Sequence, residues 1–413
     1  MSPAELAVLD EVDNLRAELV SFTQALVRVP TVNPPGARYP DCAELIARKL
    51  DELGYTVEVL SGGGVPNVIG TLLCNSALSA QRSALHFNGH YDVVPPGQGW
   101  SVDPFGAVLN DDRIYGRGAC DQKSGIAASI FAVEAIRRAG IALAGTIEQS
   151  ATPDEESGGF AGVGWLCDIG RLAQARQDYV VITEPLDPDR VCVGHRGVYW
   201  FQLTTVGRVG HGSMPGLAVN AAERMARAIV RIEDALRPVL NQRESAVLVE
   251  PATARKPSIS LSSIHAGQLP GERQTPTVPD HCIAVLDRRF IHEESFETVR
   301  QEIVALLDHQ IELRDLMRVD PLLVPTDGVL PRACARAIQD VLGVEPPFIV
   351  SPGTFDMKHV VRRAGIAECI GYGPGRLILA HQPDEFVAVD DLVTSTKVLA
   401  LLAMRLIGPA DVP

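Results

Sequence analysis

Between residues 84 and 185 the chain carries three short apolar stretches, ALHFNGHYDVV, GTIEQSA and DYVVITEP, with a helical stretch, GIAASIFAVEAIRRAG, between the first two. Ile126, Ile130, Val133 and Ile136 form a stripe in that helical stretch. Strands alternating with helices in this way restrict the chain to an α/β layered domain whose strands feed loops. Upstream, Leu15, Leu19, Phe22 and Leu26 share one face of a helix stopped by Pro30. A second helix over about 41–53 ends at Gly54, and YTVEVL alternates as a strand.

After TEPLDPDR the pattern changes. GVYWFQLTTVGR reads as a strand. Met225, Ile229, Ile232, Leu236 and Leu240 mark one face of a long helix, PSISLSSI and HCIAVLDRRF read as strands, and FETVRQEIVALLDHQI as a helix. This proportion predicts a small α+β unit over 193–312, inserted into an α/β domain made of 1–192 and 313–413. The later segments FIVSPGTFD and GIAECIGYG, with a final helix DLVTSTKVLALLAMRL, return to the α/β style.

Charge and cysteine usage narrow the function classes. Thirty-seven Lys and Arg face 51 Asp and Glu, a formal charge of −14, which argues against nucleic acid or an anionic membrane as a partner. The eight cysteines (42, 74, 120, 167, 192, 282, 334, 369) form no CxxC pair, which fits reduced thiols rather than disulfides or a thiolate zinc site. The acidic N-terminus lacks the layout of a signal peptide, and no apolar run reaches the roughly 20 residues of a membrane span, so a cytoplasmic location is expected.

Within this frame, TPDEESGG (152–159) poses a problem, because Asp154, Glu155 and Glu156 repel one another. Either the loop is solvated or a cation absorbs the repulsion. Other segments hold compatible groups. His90 and Asp92 lie two apart in GHYD, on one face of an extended segment, where a carboxylate can take one ring N–H and aim the other nitrogen at a metal. Asp121 lies in a glycine-rich turn before a helix, Glu184 follows the apolar strand VVIT, and His381 lies far downstream in LAHQPDE. Each alone fits a structural role. Together, imidazoles and carboxylates at strand ends without thiolate suit zinc, manganese or cobalt.

GHYDVVPP, GRGACDQKSG, TPDEESGG, TEP, GHGSMPG, TVPD with LDRRF, and AHQPDEFV are similar, in order and spacing, to the motifs of the metallopeptidase family that contains acetylornithine deacetylase, succinyl-diaminopimelate desuccinylase, aminoacylase and carboxypeptidase G. The resemblance covers nearly the whole chain. It implies a discontinuous metallohydrolase domain, a mixed sheet flanked by helices, with an inserted lid and dimerisation domain. It also implies two divalent ions per subunit, bridged by Asp121, one held by His90 and Glu184 and the other by Glu156 and His381. Asp92 would orient His90, Glu155 would be the general base, and the Asp121–Gln122 peptide would be cis. His211 would stabilise the tetrahedral intermediate from across a homodimer, and Arg289 would grip a substrate carboxylate while Arg288 points the other way. Arg196, Gly353 and Thr354 are further candidates for the substrate pocket. Lys123, Asp154, Glu385 and His86, 195, 265, 281, 292, 309 and 359 are read as structural.

Three departures bear on the substrate: Pro276 stands where relatives commonly carry Asn, His195 where Arg or Lys is common, and Pro352 and Phe355 in a usually glycine-rich turn. The expected reaction is metal-dependent hydrolysis of a C–N bond, an amide first, in a small carboxylate-bearing molecule. The alternatives are attack on a different C–N bond, such as deamination of an activated aromatic amine or decarbamoylation, and a catalytically silent binding relative.

Overall fold

The computed structural model describes residues 1–73, 83–267 and 275–408. Contacts divide the chain into two compact units: Met1–Gly194 with Val324–Ile349 and Phe355–Pro413, and His195–Leu323 with Val350–Thr354. Cys74 lies outside the described residues, and the seven described cysteines are buried free thiols.

The first unit is built on a mixed sheet with the strand order Thr56–Gly62, Val65–Leu73, Thr146–Thr152, Ala84–His90, Tyr179–Ile182, Cys369–Gly371, Val191–His195. The middle four strands run parallel, and antiparallel strands close the sheet on either side. The register pairs His90 with Thr152 and Asn88 with Ile182, so adjacent strands end together and their following loops emerge side by side.

The helix Lys123–Arg138 explains itself by composition. It is buried from Lys123 to Ile136 and packs against the apolar helix Val389–Ile407, so neither needs a polar face. Gly125 lets this helix touch the sheet: a Cβ there would lie 2.1 Å from the Thr183 carbonyl oxygen. Lys123, read as structural, donates from Nζ to the carbonyls of Leu26 and Val29, at 3.0 and 2.6 Å. The N-terminal segment forms two helices, Pro3–Asn14 with a Ser2–Glu5 capping box and Arg16–Val27, and Leu15, Leu19, Phe22 and Leu26 are all buried.

The second unit is a four-stranded antiparallel sheet, ordered Ser258–Ala266, His281–Phe290, Gly197–Val206, Ile311–Val319. The helices Ala221–Leu240 and Phe296–Val304 share its core with Tyr199, Phe201, Leu203 and Leu286. Residues alternate along His281–Phe290, so Arg288 is buried and bonded to Glu294 at 2.7 Å while Arg289 faces the other way. Two sequence expectations need correction. The helix read through Ile311 stops at Val304, and Ile311–Val319 is a strand paired with Gly197–Val206, which carries the inserted unit past residue 312 to Leu323. Charged residues on the solvent side of that strand, Glu312, Arg314 and Arg318, hide its apolar alternation.

Candidate metal centre

Five side chains from five separate loops and strand ends converge in the first unit. His90 is the last residue of Ala84–His90; its Nδ1 donates to the Asp92 carbonyl at 3.0 Å, with the Asp92 carboxylate 3.4 Å away. A carbonyl only accepts, so Nδ1 carries a proton and Nε2 is turned toward the cluster. The Asp92 carboxylate does more than border the ring. It accepts the backbone N–H groups of Glu155 and Glu156, each at 3.2 Å, and the Asn33 amide at 2.8 Å. Asp92 thereby ties the histidine strand to the acidic loop.

Asp121 enters through a tight turn whose Asp121–Gln122 peptide is cis. Gln122 donates to the Glu184 carboxylate and accepts from the Thr183 hydroxyl at 3.0 Å, holding the segment after Tyr179–Ile182 against the turn. His90 Nε2 lies 3.1 Å from Asp121 Oδ1 and 3.9 Å from Glu184 Oε1. His381 Nε2 lies 3.1 Å from Glu156 Oε1 and 3.4 Å from Asp121 Oδ2. Two groups of ligand atoms result, His90–Asp121–Glu184 and Asp121–Glu156–His381, each within 4.8 Å, and Asp121 belongs to both.

The electrostatics are those of a site short of positive charge. Burial pushes Glu184 well above the usual carboxylate range, and the Asp121 charge adds to it. Burial also raises Glu156, to about 7, against the pull of the His381 hydrogen bond. Burial lowers His90 and His381, but the carboxylates outweigh it: His90 stands well above its ordinary value, and His381 reaches about 11. Protons on the imidazoles therefore occupy the role that cations would take. The donor set of two imidazoles and three carboxylates suits zinc, manganese or cobalt. Cys120, although next to Asp121, directs its sulfur at the Arg376 carbonyl, 3.3 Å away.

The acidic loop is not solvated: the Glu155 and Glu156 side chains are 10% and 8% exposed. Glu156 joins a ligand group. Glu155 joins neither and pairs instead with Lys358 Nζ at 3.3 Å. Asp154, in a left-handed conformation, accepts the Ala161 N–H at 2.9 Å and closes the loop on itself.

The other candidates belong to the second unit. His211 is exposed at the end of a short strand, and its Nδ1 accepts the Ser213 N–H at 3.1 Å. Arg289 Nε donates to both oxygens of Asp287, at 2.8 and 2.9 Å. Arg196 is buried and commits its guanidinium to the carbonyls of Pro352, Ala254 and Lys256. Gly353 and Thr354 are half-buried in the turn that follows, where the Gly353 N–H donates to Ser351 Oγ. Pro276 presents its carbonyl to the Gly212 N–H at 2.7 Å, beside His211.

Sequence reasoning overlooked Lys358, Gln122 and the reach of Glu385. Lys358 gave no signal, being a lone lysine in a short helix, Met357–Arg362. Glu385 did, by lying four residues after His381 in LAHQPDE.

Comparison with known proteins gives the chain its relatives. A family model described as peptidase family M20/M25/M40 matches residues 86–405. Succinyl-diaminopimelate desuccinylase of Delftia acidovorans is 29% identical, covering 90% of this chain and 94% of the relative. The enzyme of the same name from Methylobacillus flagellatus is 31% identical over 90% of this chain and 95% of its own length. Among solved structures, human carnosine dipeptidase 1 has the same fold, with a TM-score of 0.80 at 19% identity over 98% of this chain and 99% of that one.

Proposed function

The chain belongs to peptidase family M20/M25/M40, and from that premise we propose that it is a two-metal hydrolase cleaving an amide C–N bond in a small, carboxylate-bearing molecule. The observation that carries this reading is the pair of ligand groups sharing Asp121, one carboxylate oxygen facing each imidazole. In this assignment His90 and Glu184 complete one metal position, and Glu156 and His381 the other. When bound, divalent ions of zinc, manganese or cobalt supply Lewis acidity, which lowers the pKa of water and polarises a carbonyl.

The remaining steps fall to the chain's own residues. Glu155 stands outside both ligand groups, next to Glu156 and paired with Lys358, so its carboxylate is the base that accepts a proton from the attacking water and returns it to the leaving nitrogen. Asp92 keeps the His90 ring turned and the Glu155–Glu156 backbone in place. His211, whose Nδ1 accepts from the Ser213 N–H, has Nε2 left to donate to an oxyanion, acting from the partner subunit of a homodimer. Arg289 takes the substrate carboxylate; Nη1 of its guanidinium has no partner among the described residues. Arg196 acts through its carbonyl contacts, fixing the Gly353–Thr354 turn that borders the substrate.

The substrate assignment leans on relatives named a desuccinylase and a dipeptidase. Pro276 favours a second reading, hydrolysis of a non-peptide C–N bond, because it offers no side-chain donor to an acyl group. The intact Glu155 and both ligand groups speak against a silent binding relative. The test is a hydrolysis screen of N-succinyl and N-acyl amino acids, dipeptides, carbamoyl compounds and aromatic amines, each with zinc, manganese and cobalt. Release of a carboxylic acid or an amino acid without ammonia or carbon dioxide supports the leading reading. Release of ammonia or carbon dioxide supports the second, and inertness across the screen with metal bound supports the silent one.

A further inference from the structure

Glu385 is fully buried, and no step of the proposed reaction uses it. Its Oε1 accepts three backbone N–H groups, those of Gly118, Cys120 and Asp121, each at 3.0 Å. Its Oε2 is paired with the buried Arg117 guanidinium. The strand Phe386–Ala388 lies along Arg113–Tyr115, and the Gly116 N–H donates to the Glu385 carbonyl at 2.8 Å, so the ladder delivers this carboxylate into the 117–121 turn. Three converging N–H groups and an arginine offset part of the cost of burying this carboxylate, and they fix its position relative to the turn. The two chain segments joined here carry Asp121 and, four residues before Glu385, His381.

We propose that Glu385 is a positioning residue for the metal centre, acting through Asp121 and His381 to hold the ligand groups that would take the two ions. The proposal rests on the two-metal reading above. Its consequence is unequal. The Asp121–Glu156–His381 position depends on Glu385 for two of its three ligands, the His90–Asp121–Glu184 position for one. Weakening Glu385 therefore costs the first position more.

The test is competition titration of metal-free protein with zinc against a chromophoric chelator, on wild type, E385Q and R117K, with folding followed by circular dichroism. The glutamine retains an oxygen acceptor but turns an N–H2 toward Arg117. The expected result is two tightly bound ions in wild type and, in E385Q, one near-wild-type ion with the second weakened about 10- to 100-fold. R117K, which leaves Glu385 in place, should shift the second ion in the same direction by less, and it serves as the deciding variant if E385Q does not fold. Two ions of wild-type affinity in a folded variant overturn the positioning role. Failure of wild type to bind two ions overturns the two-metal reading instead, so the two failures are distinguishable.

Discussion

Lys358 Nζ lies 3.3 Å from Glu155 Oε1, with the two side chains 4% and 10% exposed. The pair joins positions 203 residues apart, and it gives the proposed base a partner outside both ligand groups. Replacing the lysine with methionine removes the ammonium and keeps the stem, leaving a buried carboxylate free to rotate toward a metal. K358M should lower kcat on the order of tenfold or more, about 1.4 kcal/mol in the barrier, with KM changed less. Steady-state kinetics with metal analysis decides it; full activity would show that the pair only fills space.

Removing the base itself should be more severe. E155Q should lose roughly 10²- to 10⁴-fold in turnover while binding the same number of ions as wild type. Elemental analysis beside kinetics separates the outcomes: metal loss in step with activity would make Glu155 a ligand instead.

Metal removal has a sign that follows from the raised imidazoles. His90 and His381 are protonated in the metal-free site, His381 up to about 11, and Glu156 binds its proton up to about 7. Ions must displace those protons, so apparent metal affinity should rise with pH and binding should release protons. Calorimetry in two buffers of different ionisation enthalpy measures the release. Chelation should also raise hydrogen exchange across 154–162, where uncompensated carboxylates are left in the loop.

His211 gives a test of assembly. H211A and E155Q should each be inactive alone, and mixing them should restore part of the activity if the histidine acts across a homodimer. Verified mixed dimers without recovery would place the histidine in its own subunit's site or outside the reaction.

His359 ties the Gly158 carbonyl to its Nε2–H at 2.7 Å, and burial, helped by the Lys358 charge, pulls it down to about 4. The unfolded chain takes up this proton near pH 6.5 and the folded chain only near 4. The contribution is therefore intact above pH 6.5 and is lost as pH falls toward 4, by at most about 1.4 kcal/mol per unit. H359N cannot titrate, so its stability deficit relative to wild type should narrow over that range in denaturant unfolding. A deficit independent of pH would contradict the neutral assignment.

Much of the ligand geometry was legible because it is local. His90 ends an apolar strand, Glu184 follows one, and Glu155 and Glu156 are crowded in a way that solvation explains poorly; a strand pattern and a spacing reveal these. Lys358 was not legible because its partner lies 203 residues away and nothing in MKH announces it; the spacing of Glu385 from His381 pointed to the site, but not to its backbone partners up to 267 residues away. The strand Ile311–Val319 escaped for another reason. It lies at a sheet edge, and its charged solvent face blurs the period of two.

The bare approach of Gly125 to Thr183 has a genetic consequence. A methyl group there would meet the Thr183 carbonyl and hydroxyl oxygens, at 2.1 and 2.7 Å, and displace the residue beside Glu184. In a saturation mutagenesis screen, position 125 should score as intolerant as a ligand, although it offers an ion no donor atom. A phenotype map would then draw the border of the metal centre through the inside of a helix.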